Sequence, residues 1–144
     1  MNKNFFKCML TFMMVTVLSI GFVSCSEDDE LPKPEDKESV VSALVGTWVC
    51  DWEEDGEKGK LYVTFKGDGT GNFKDCYYNE NGDLEVDESP MKYTYNPADS
   101  SLKIMIYDDY INDYYNIIKC RIKFISSDKI EAESEGEKYT FKKQ

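Results

Sequence analysis

The sequence contains no histidine, and this absence removes several kinds of active site at once. Histidine is the side chain that titrates nearest neutral pH, and it serves Ser-His-Asp and Cys-His nucleophilic sites and many zinc sites. Catalysis would have to rely on carboxylates or lysine, and the sequence shows no motif for either. We therefore expect a protein that is not an enzyme and has no catalytic residues.

Positive charge is scarce as well. The chain has 17 lysines and arginines against 28 aspartates and glutamates, which gives a formal net charge of −11 at pH 7. A surface with this excess of negative charge repels the phosphates of nucleic acids. Nucleic acid is therefore rejected as a partner.

Cysteines are few, and no two of them have the CxxC spacing that suggests a metal site. After Cys25 only Cys50, Cys76 and Cys120 remain, so an oxidising compartment would allow at most one internal disulfide. Cys50 and Cys120 fall on apolar faces and are the pair that would form it. The alternative, which we favour, is three small buried apolar residues. We expect no metal and no cofactor.

Residues 1–24 have the pattern of a removable signal peptide. Lys3 and Lys7 form a basic start, and residues 8–22 form an almost uncharged apolar run. This run is too short to span a bilayer comfortably, and acidic residues follow it, so a signal peptide is favoured over a transmembrane helix. Its removal would change the net charge from −11 to −13.

Phe22-Val23-Ser24-Cys25 resembles a bacterial lipobox, although the usual pattern has leucine where this chain has Phe22. In lipoproteins the cysteine becomes the N-terminus that carries diacylglycerol and palmitate. The acidic residues 25–30 are similar to the export signal of surface lipoproteins from certain Gram-negative gut commensals. The resemblance implies lipidation of Cys25, a membrane anchor and display on the outer membrane at the cell surface. The alternative is an ordinary cysteine beside a charged leader.

Residues 25–38 are charged, contain two prolines and lack an apolar cluster, which indicates an acidic flexible tether. Residues 39–144 form the single predicted domain. It begins with one predicted helical turn over residues 39–43, for which Ser39 would be the N-cap.

Within this domain, apolar and polar residues alternate with a period of two, which is typical of strands that turn one face toward a core. We assign eight such runs to residues 44–52, 60–66, 71–78, 91–95, 102–107, 118–124, 129–133 and 138–142. Short connections with turn residues favour an all-β, antiparallel up-and-down meander, and eight strands are enough to close a barrel. A β-sandwich is the alternative, but it usually needs longer crossing connections.

Gly46-Thr47-Trp48 resembles the G-x-W motif of lipocalins, in which the tryptophan packs across the base of the barrel. Residues 63–71, 102–104 and 125–130 extend the similarity to lipocalin-like domains of bacterial, Bacteroidetes-type surface lipoproteins, over about residues 40–142. The C-terminal helix of typical lipocalins is missing, so the match is to the short bacterial form. The resemblance implies an eight-stranded lipocalin-like barrel and says little about its ligand.

The two longest predicted connections, residues 53–59 and 79–90, lie at the end of the barrel away from Trp48, which identifies that end as the mouth. The four predicted connections at this end carry fourteen carboxylates against one cation, Lys58. Such a negative potential disfavours fatty acids and other anions and suits a cationic or neutral ligand, or Ca²⁺. The alternative is that the loops are acidic only for solubility.

Aromatic residues and one acid on inward or rim positions are the candidate ligand-binding residues. They are Trp52, Phe65, Asp75, Tyr77, Tyr93, Tyr107, Tyr110 and Tyr114. Asp75 is the one acid predicted on an inward face, where it needs a partner or water unless a bulge turns it outward. The inward aromatic volume is large enough to leave only a shallow cup.

Two functions follow from this reading. In the first, the barrel cup binds a small neutral, apolar or cationic ligand. In the second, the domain has no internal ligand and docks a protein or glycan through the tyrosine-rich, acidic rim at residues 107–115. In either case we expect a monomer.

Overall fold

The computed structural model describes residues 30–144, apart from the side chain of Asn116. A single helix, α1, precedes eight strands. The bounds are α1 Lys37–Leu44, β1 Gly46–Glu54, β2 Glu57–Phe65, β3 Thr70–Tyr78, β4 Leu84–Asn96, β5 Ser101–Asp108, β6 Asp113–Ser126, β7 Lys129–Ser134 and β8 Glu137–Lys143. The predicted signal peptide, Cys25 and the start of the predicted tether lie outside the described residues. Over residues 30–144, no helix has the length and apolar character needed to cross a membrane.

The strands pair in chain order, and each is antiparallel to its neighbours. β1 also pairs with β8, which closes the sheet into a barrel. The predicted eight-stranded up-and-down barrel is therefore confirmed, and the sandwich alternative is wrong. The β1–β8 seam is short, because Trp48–Lys143 and Val49–Lys142 are the residue pairs that join its two strands within the described chain.

Several mouth connections are much shorter than predicted. Asp55 and Gly56 alone join β1 to β2, with φ angles of 50° and 86°, and Glu135 and Gly136 join β7 to β8 with 53° and 87°. Positive φ at both central residues gives a turn whose twist matches that of a hairpin, so the strands continue up to the turn. The predicted loop over residues 53–59 is therefore wrong. The predicted loop over 79–90 is wrong beyond residue 83, since β4 begins at Leu84.

Helix α1 closes the base of the barrel. Its apolar residues Val40 and Leu44 are buried in the barrel core. Asp36 is the N-cap, and its carboxylate accepts from the backbone N–H groups of Glu38 at 3.1 Å and Ser39 at 3.2 Å. The predicted cap at Ser39 is wrong because the helix begins two residues earlier, within the segment assigned to the tether.

Trp48 lies across this base and joins the helix to the barrel. Its indole Nε1 donates to the backbone oxygen of Leu44 at 2.7 Å. Lys143 Nζ donates to the oxygen of Ala43 at 3.0 Å and stands 5.2 Å from the Trp48 ring centroid. The last carbonyls of the helix, which an isolated helix leaves without partners, are therefore bonded by the barrel.

Aromatic rings fill the space around Trp48. Tyr93 packs edge-on against Phe65 with 4.9 Å between ring centroids, and its hydroxyl donates to the oxygen of Lys66. The Tyr95 hydroxyl donates to the oxygen of Pro34 at 2.9 Å, so the segment before α1 is also held against the barrel. Side chains therefore fill the barrel at its base, around Trp48.

We expect Leu44→Ala to lower the free energy of unfolding by about 2–5 kcal/mol, because it leaves a cavity where a fully buried side chain stood. Val45→Ala is the matched control. The Val45 side chain is 39 % exposed, so its truncation should cost no more than about 0.5 kcal/mol. Urea unfolding followed by tryptophan fluorescence measures both. Equal losses in the two variants would contradict the role of α1 as the closure of the base.

Candidate ligand-binding cavity

A cavity of about 310 Å³ lies inside the barrel between Trp48 and the mouth. Apolar side chains supply most of its wall, and the aliphatic ones among them include Leu61, Val63, Ile104, Ile106, Ile122 and Ile130. Its volume is about twice the ~150 Å³ that holds a benzene molecule in an apolar protein core. The inward aromatic residues therefore fill the base without plugging the barrel.

Two rows of cross-strand neighbours form the upper wall on β1 to β4. The lower row consists of Cys50, Leu61, Asp75 and Asp87, and the upper row of Trp52, Gly59, Tyr77 and Glu85. Residues of both rows alternate with outward residues, so the two rows lie on the inner face of the sheet. The wall thus changes from apolar near Trp48 to polar toward the mouth.

Gly59 determines where the Trp52 indole lies. A Cβ at position 59 would stand 2.4 Å from the indole atom Cε2, so any other residue there would displace the ring. The ring lies across β2, and its Nε1 donates to Asp75 Oδ1 on β3 at 2.8 Å. The missing side chain of Gly59 is therefore what brings Trp52 to Asp75.

Asp75 is only 6 % exposed and borders the cavity. Burial raises the pKa of its carboxyl, and the negative charge of Asp87 raises it further. The hydrogen bonds from Trp52 and from the backbone N–H of Cys76 partly oppose this rise in pKa. No lysine or arginine of residues 30–144 forms an ion pair with Asp75.

Two further carboxylates stand on the inner face beside Asp75. The Tyr77 hydroxyl donates to Glu85 Oε2 at 2.7 Å and lies 3.4 Å from Asp87 Oδ2. Asn79 also donates to Glu85, and together these two bonds lower the pKa of the Glu85 carboxyl. The prediction that Asp75 is the one inward acid is therefore wrong, because β4 begins early enough to turn Glu85 and Asp87 inward.

The nearby lysines pair with other acids. On the outer face, Lys60 pairs with Asp51 at 2.8 Å and Lys58 with Glu53 at 3.2 Å. Lys119 borders the cavity through its place on β6, but its ammonium group lies 3.8 Å from Asp99. Among the described strands, Lys143 is the cation that shares the inner face, and it is bonded to α1 at the base. The inner face near the mouth is therefore negative.

The three cysteines of the described residues are free thiols. Cys50 and Cys120 both border the cavity, and burial raises the pKa of each to about 11, with the charge of Asp51 adding to the effect at Cys50. They form no disulfide and fit the interpretation as small apolar residues, whereas Cys76 is only half-buried. Over residues 30–144, no group of three or more potential ligands is placed to hold a metal ion.

The sequence-predicted candidates divide into two groups, one inside the barrel and one outside it. Trp52, Phe65 and Asp75 border the cavity. Tyr77 packs against Trp52 above it, with 6.2 Å between ring centroids, while Tyr93 is part of the packed base.

Tyr107, Tyr110 and Tyr114 lie outside the cavity. The Tyr107 and Tyr114 rings meet edge-on at 5.3 Å, and Lys92 Nζ stands 4.1 Å from the Tyr114 ring centroid. Tyr110 sits in the β5–β6 turn with 87 % of its surface exposed. The structure therefore separates the predicted set into a cavity group and an outer tyrosine group.

The sequence analysis counted Glu85 and Asp87 among the carboxylates of the mouth loops and did not place them on the inner face of a strand. The alternation there is reversed, because the apolar residues Leu84 and Val86 lie on the outer face and are exposed. The Asn81-Gly82 turn signal was the available clue, since such turns lie between closely paired strands.

Comparisons with known proteins add two solved structures. The chain is similar to a lipocalin-like protein from Bacteroides uniformis ATCC 8492, with a TM-score of 0.48 and 16% sequence identity over 71% of this chain and 99% of that one. It is also similar to an uncharacterized protein from Bacteroides eggerthii DSM 20697, with a TM-score of 0.45 and 17% identity over 70% and 99%. No protein-family model matches the chain, and no curated protein matches it significantly.

We expect Asp75→Asn to stabilise the protein at pH 7, because it removes a buried charge but keeps an oxygen that can accept from Trp52. A carboxyl whose pKa is raised by folding favours the folded state below its unfolded pKa, and this contribution is lost as pH rises through the folded pKa. The advantage of the variant should therefore shrink as pH falls from 7 toward 4.

Urea unfolding at pH 7 and pH 4 measures this difference, with Asp109→Asn as the control for loss of an exposed charge. Lower stability of Asp75→Asn than of the unsubstituted chain at pH 7 would contradict an uncompensated carboxylate at position 75.

Proposed function

We propose that this chain is an envelope-anchored, lipocalin-like binding protein that holds a small ligand with a largely apolar body in its barrel. The observation that carries the proposal is the cavity of about 310 Å³ with its mainly apolar wall. Small-molecule sites are typically concave, mostly apolar and supplied with a few placed polar groups, which here are Trp52 and Asp75.

The arrangement of the two barrel ends supports the proposal. The base is closed by α1 and Trp48, while the cavity reaches Ser134 and Glu135 at the β7–β8 turn. A ligand would therefore reach the cavity from the mouth and rest against the base. The packed aromatic residues below would exclude water from its apolar end.

The location of the protein at the cell envelope is part of the proposal. The lipobox-like residues 22–25 precede α1, and α1 lies at the base of the barrel. A lipid on Cys25 would attach the domain to the membrane through the base of the barrel, at the end opposite the mouth. Such an orientation suits a protein that takes up ligand from the surrounding medium.

A second candidate function rests on the exposed apolar residues around the β5–β6 turn. Tyr110, Ile111, Tyr115 and Ile117 are all exposed large side chains, and Ile117 has 62 % of its surface exposed. Together with the outer tyrosine pair Tyr107 and Tyr114, they form a surface on which a protein or glycan could dock without an internal ligand.

Substitution of Ala132 tests the cavity directly. Ala132 borders the cavity on β7, and its neighbour across the β7–β8 pair, Tyr139, does so as well. We expect N-phenyl-1-naphthylamine, a neutral apolar fluorescent probe, to bind the Ser26–Gln144 chain. Ala132→Leu should weaken binding, and Ala132→Phe should weaken it by about tenfold or more, which corresponds to ~1.4 kcal/mol.

Thr140→Leu is the matched control, because Thr140 is exposed and pairs with the outward Glu131. Circular dichroism establishes that each variant is folded. A probe that binds all variants equally would lie outside the cavity and would shift the function to the exposed surface around the β5–β6 turn.

The proposed anchor has its own test. In the native host, the mature protein should carry the mass of a diacylglycerol and an acyl chain and should partition with membranes. Cys25→Ala should abolish both properties, since no other residue can take the place of the lipid-bearing N-terminal cysteine. Cys76→Ala, which removes a thiol from the outer face of β3, should retain them. Membrane partitioning of lipid-free Cys25→Ala would contradict the anchor.

A further inference from the structure

We propose that the ligand of this cavity is an amphiphilic amine, whose ammonium group pairs with the Asp75 carboxylate while its apolar body lies against the aliphatic wall. This inference rests on the proposed binding function and names the class of ligand. Three features occur together at one place and carry it: an apolar cavity, one buried carboxylate in its wall, and an inner face that, among the described residues near the mouth, carries acids and no paired cation.

The first step concerns how the charge of the buried Asp75 carboxylate is compensated. The carboxylate of a residue that is 94 % buried is costly unless a cation or several donors compensate its charge. A carboxylate has about four acceptor positions, and the Trp52 indole and the Cys76 backbone N–H use two of them. An ammonium group carries three donors and a positive charge. It can therefore fill the remaining acceptor positions of Asp75 and neutralise its charge.

The second step is the sign of the local field. Asp87 and Glu85 follow Asp75 on the inner face, and the lysines that balance the barrel's acids point outward at Asp51 and Glu53. A cation that approaches through the mouth is attracted along its whole path, whereas a carboxylate or phosphate is repelled. The ligand is therefore distinguished from fatty acids by charge, although its apolar part fits the same kind of cavity.

The third step concerns the groups beside the carboxylate. The Trp52 and Tyr77 rings stand 6.2 Å apart, and Trp52 is bonded directly to Asp75. Aromatic faces attract ammonium groups, most strongly where water is excluded. Gly59 keeps the Trp52 ring in this position, so the aromatic side of the site is built by the fold before any ligand binds.

The fourth step is the body of the ligand. Below Asp75 the wall is formed by Val63, Phe73 and Ile104 down to Trp48, and the Trp48 indole N–H is already bonded to Leu44. A sugar or polyol would lose its water there without finding partners. An alkyl or aromatic body of up to about twice the size of benzene would fill the space.

Three probes of equal chain length separate charge from apolar burial: octylammonium, octan-1-ol and octanoate. Isothermal titration of the Ser26–Gln144 chain at pH 7 should give a dissociation constant for octylammonium at least ~10-fold lower than for octan-1-ol, with octanoate weakest. Asp75→Asn, which keeps the shape of the side chain, should bring octylammonium and octan-1-ol within about threefold of each other. Its binding of octan-1-ol should be unchanged or stronger.

Asp109→Asn is the matched control, because it removes the same charge from an exposed position in the β5–β6 turn. It should keep the preference for octylammonium. Octan-1-ol binding as tightly as octylammonium, or an equal effect of Asp109→Asn and Asp75→Asn, would overturn the amine assignment while leaving the cavity as a binding site. Failure of all three probes and of N-phenyl-1-naphthylamine would overturn the binding function itself.

Discussion

The hydrogen bond from the Trp48 indole to the Leu44 carbonyl is the contact on which the rest of the structure depends. It joins the end of α1 to the first strand, and Lys143 from the last strand reinforces it through Ala43. An eight-stranded barrel has two open ends, and this contact closes one of them with a helix whose buried face is apolar. The space above this contact is thereby a cavity that is closed at the base. The polar groups of the site lie toward the mouth.

The sequence was sufficient for the architecture because the barrel consists of local hairpins. Alternation in residues 118–124 and 102–107 indicates the inner face directly, and each strand pairs with the next one along the chain. Strand ends were harder to predict, since Asp55-Gly56 continues a hairpin where the acidic residues around it suggested a loop. The same difficulty concealed the first half of β4, whose inner positions are polar and show no apolar period.

The candidate site could be predicted only in part, for a physical reason. Alternation placed Trp52 and Asp75 on the inner face, but the bond between them depends on the Trp52 ring crossing Gly59. This crossing depends on which residues of β1 and β2 are paired. The sequence of either strand alone therefore does not predict it. The separation of Tyr107 and Tyr114 from the cavity likewise follows from strand parity, which composition does not reveal.

Asp75 also departs from the pattern that most of the barrel follows. The buried core is almost entirely apolar, and Lys58 and Lys60 pair with acids on the outer face. Natural sequences usually break such consistency at functional sites, where stability is given up for a specific chemistry. A carboxylate kept in an apolar wall, with an indole oriented onto it, is a local departure of this kind.

The short β1–β8 seam has a consequence for motion. Above Val49 and Lys142, no residue pair joins the two strands within the described barrel. Backbone groups that lack inter-strand hydrogen bonds open most readily to solvent. We therefore expect the β1–β8 pair to open locally more often than the other seven strand pairs. The gap lies between Cys50 and Tyr139, both of which border the cavity. The barrel wall is therefore continuous across seven strand pairs and joined over a short stretch at the eighth, so its resistance to local opening differs from one side of the cavity to the other.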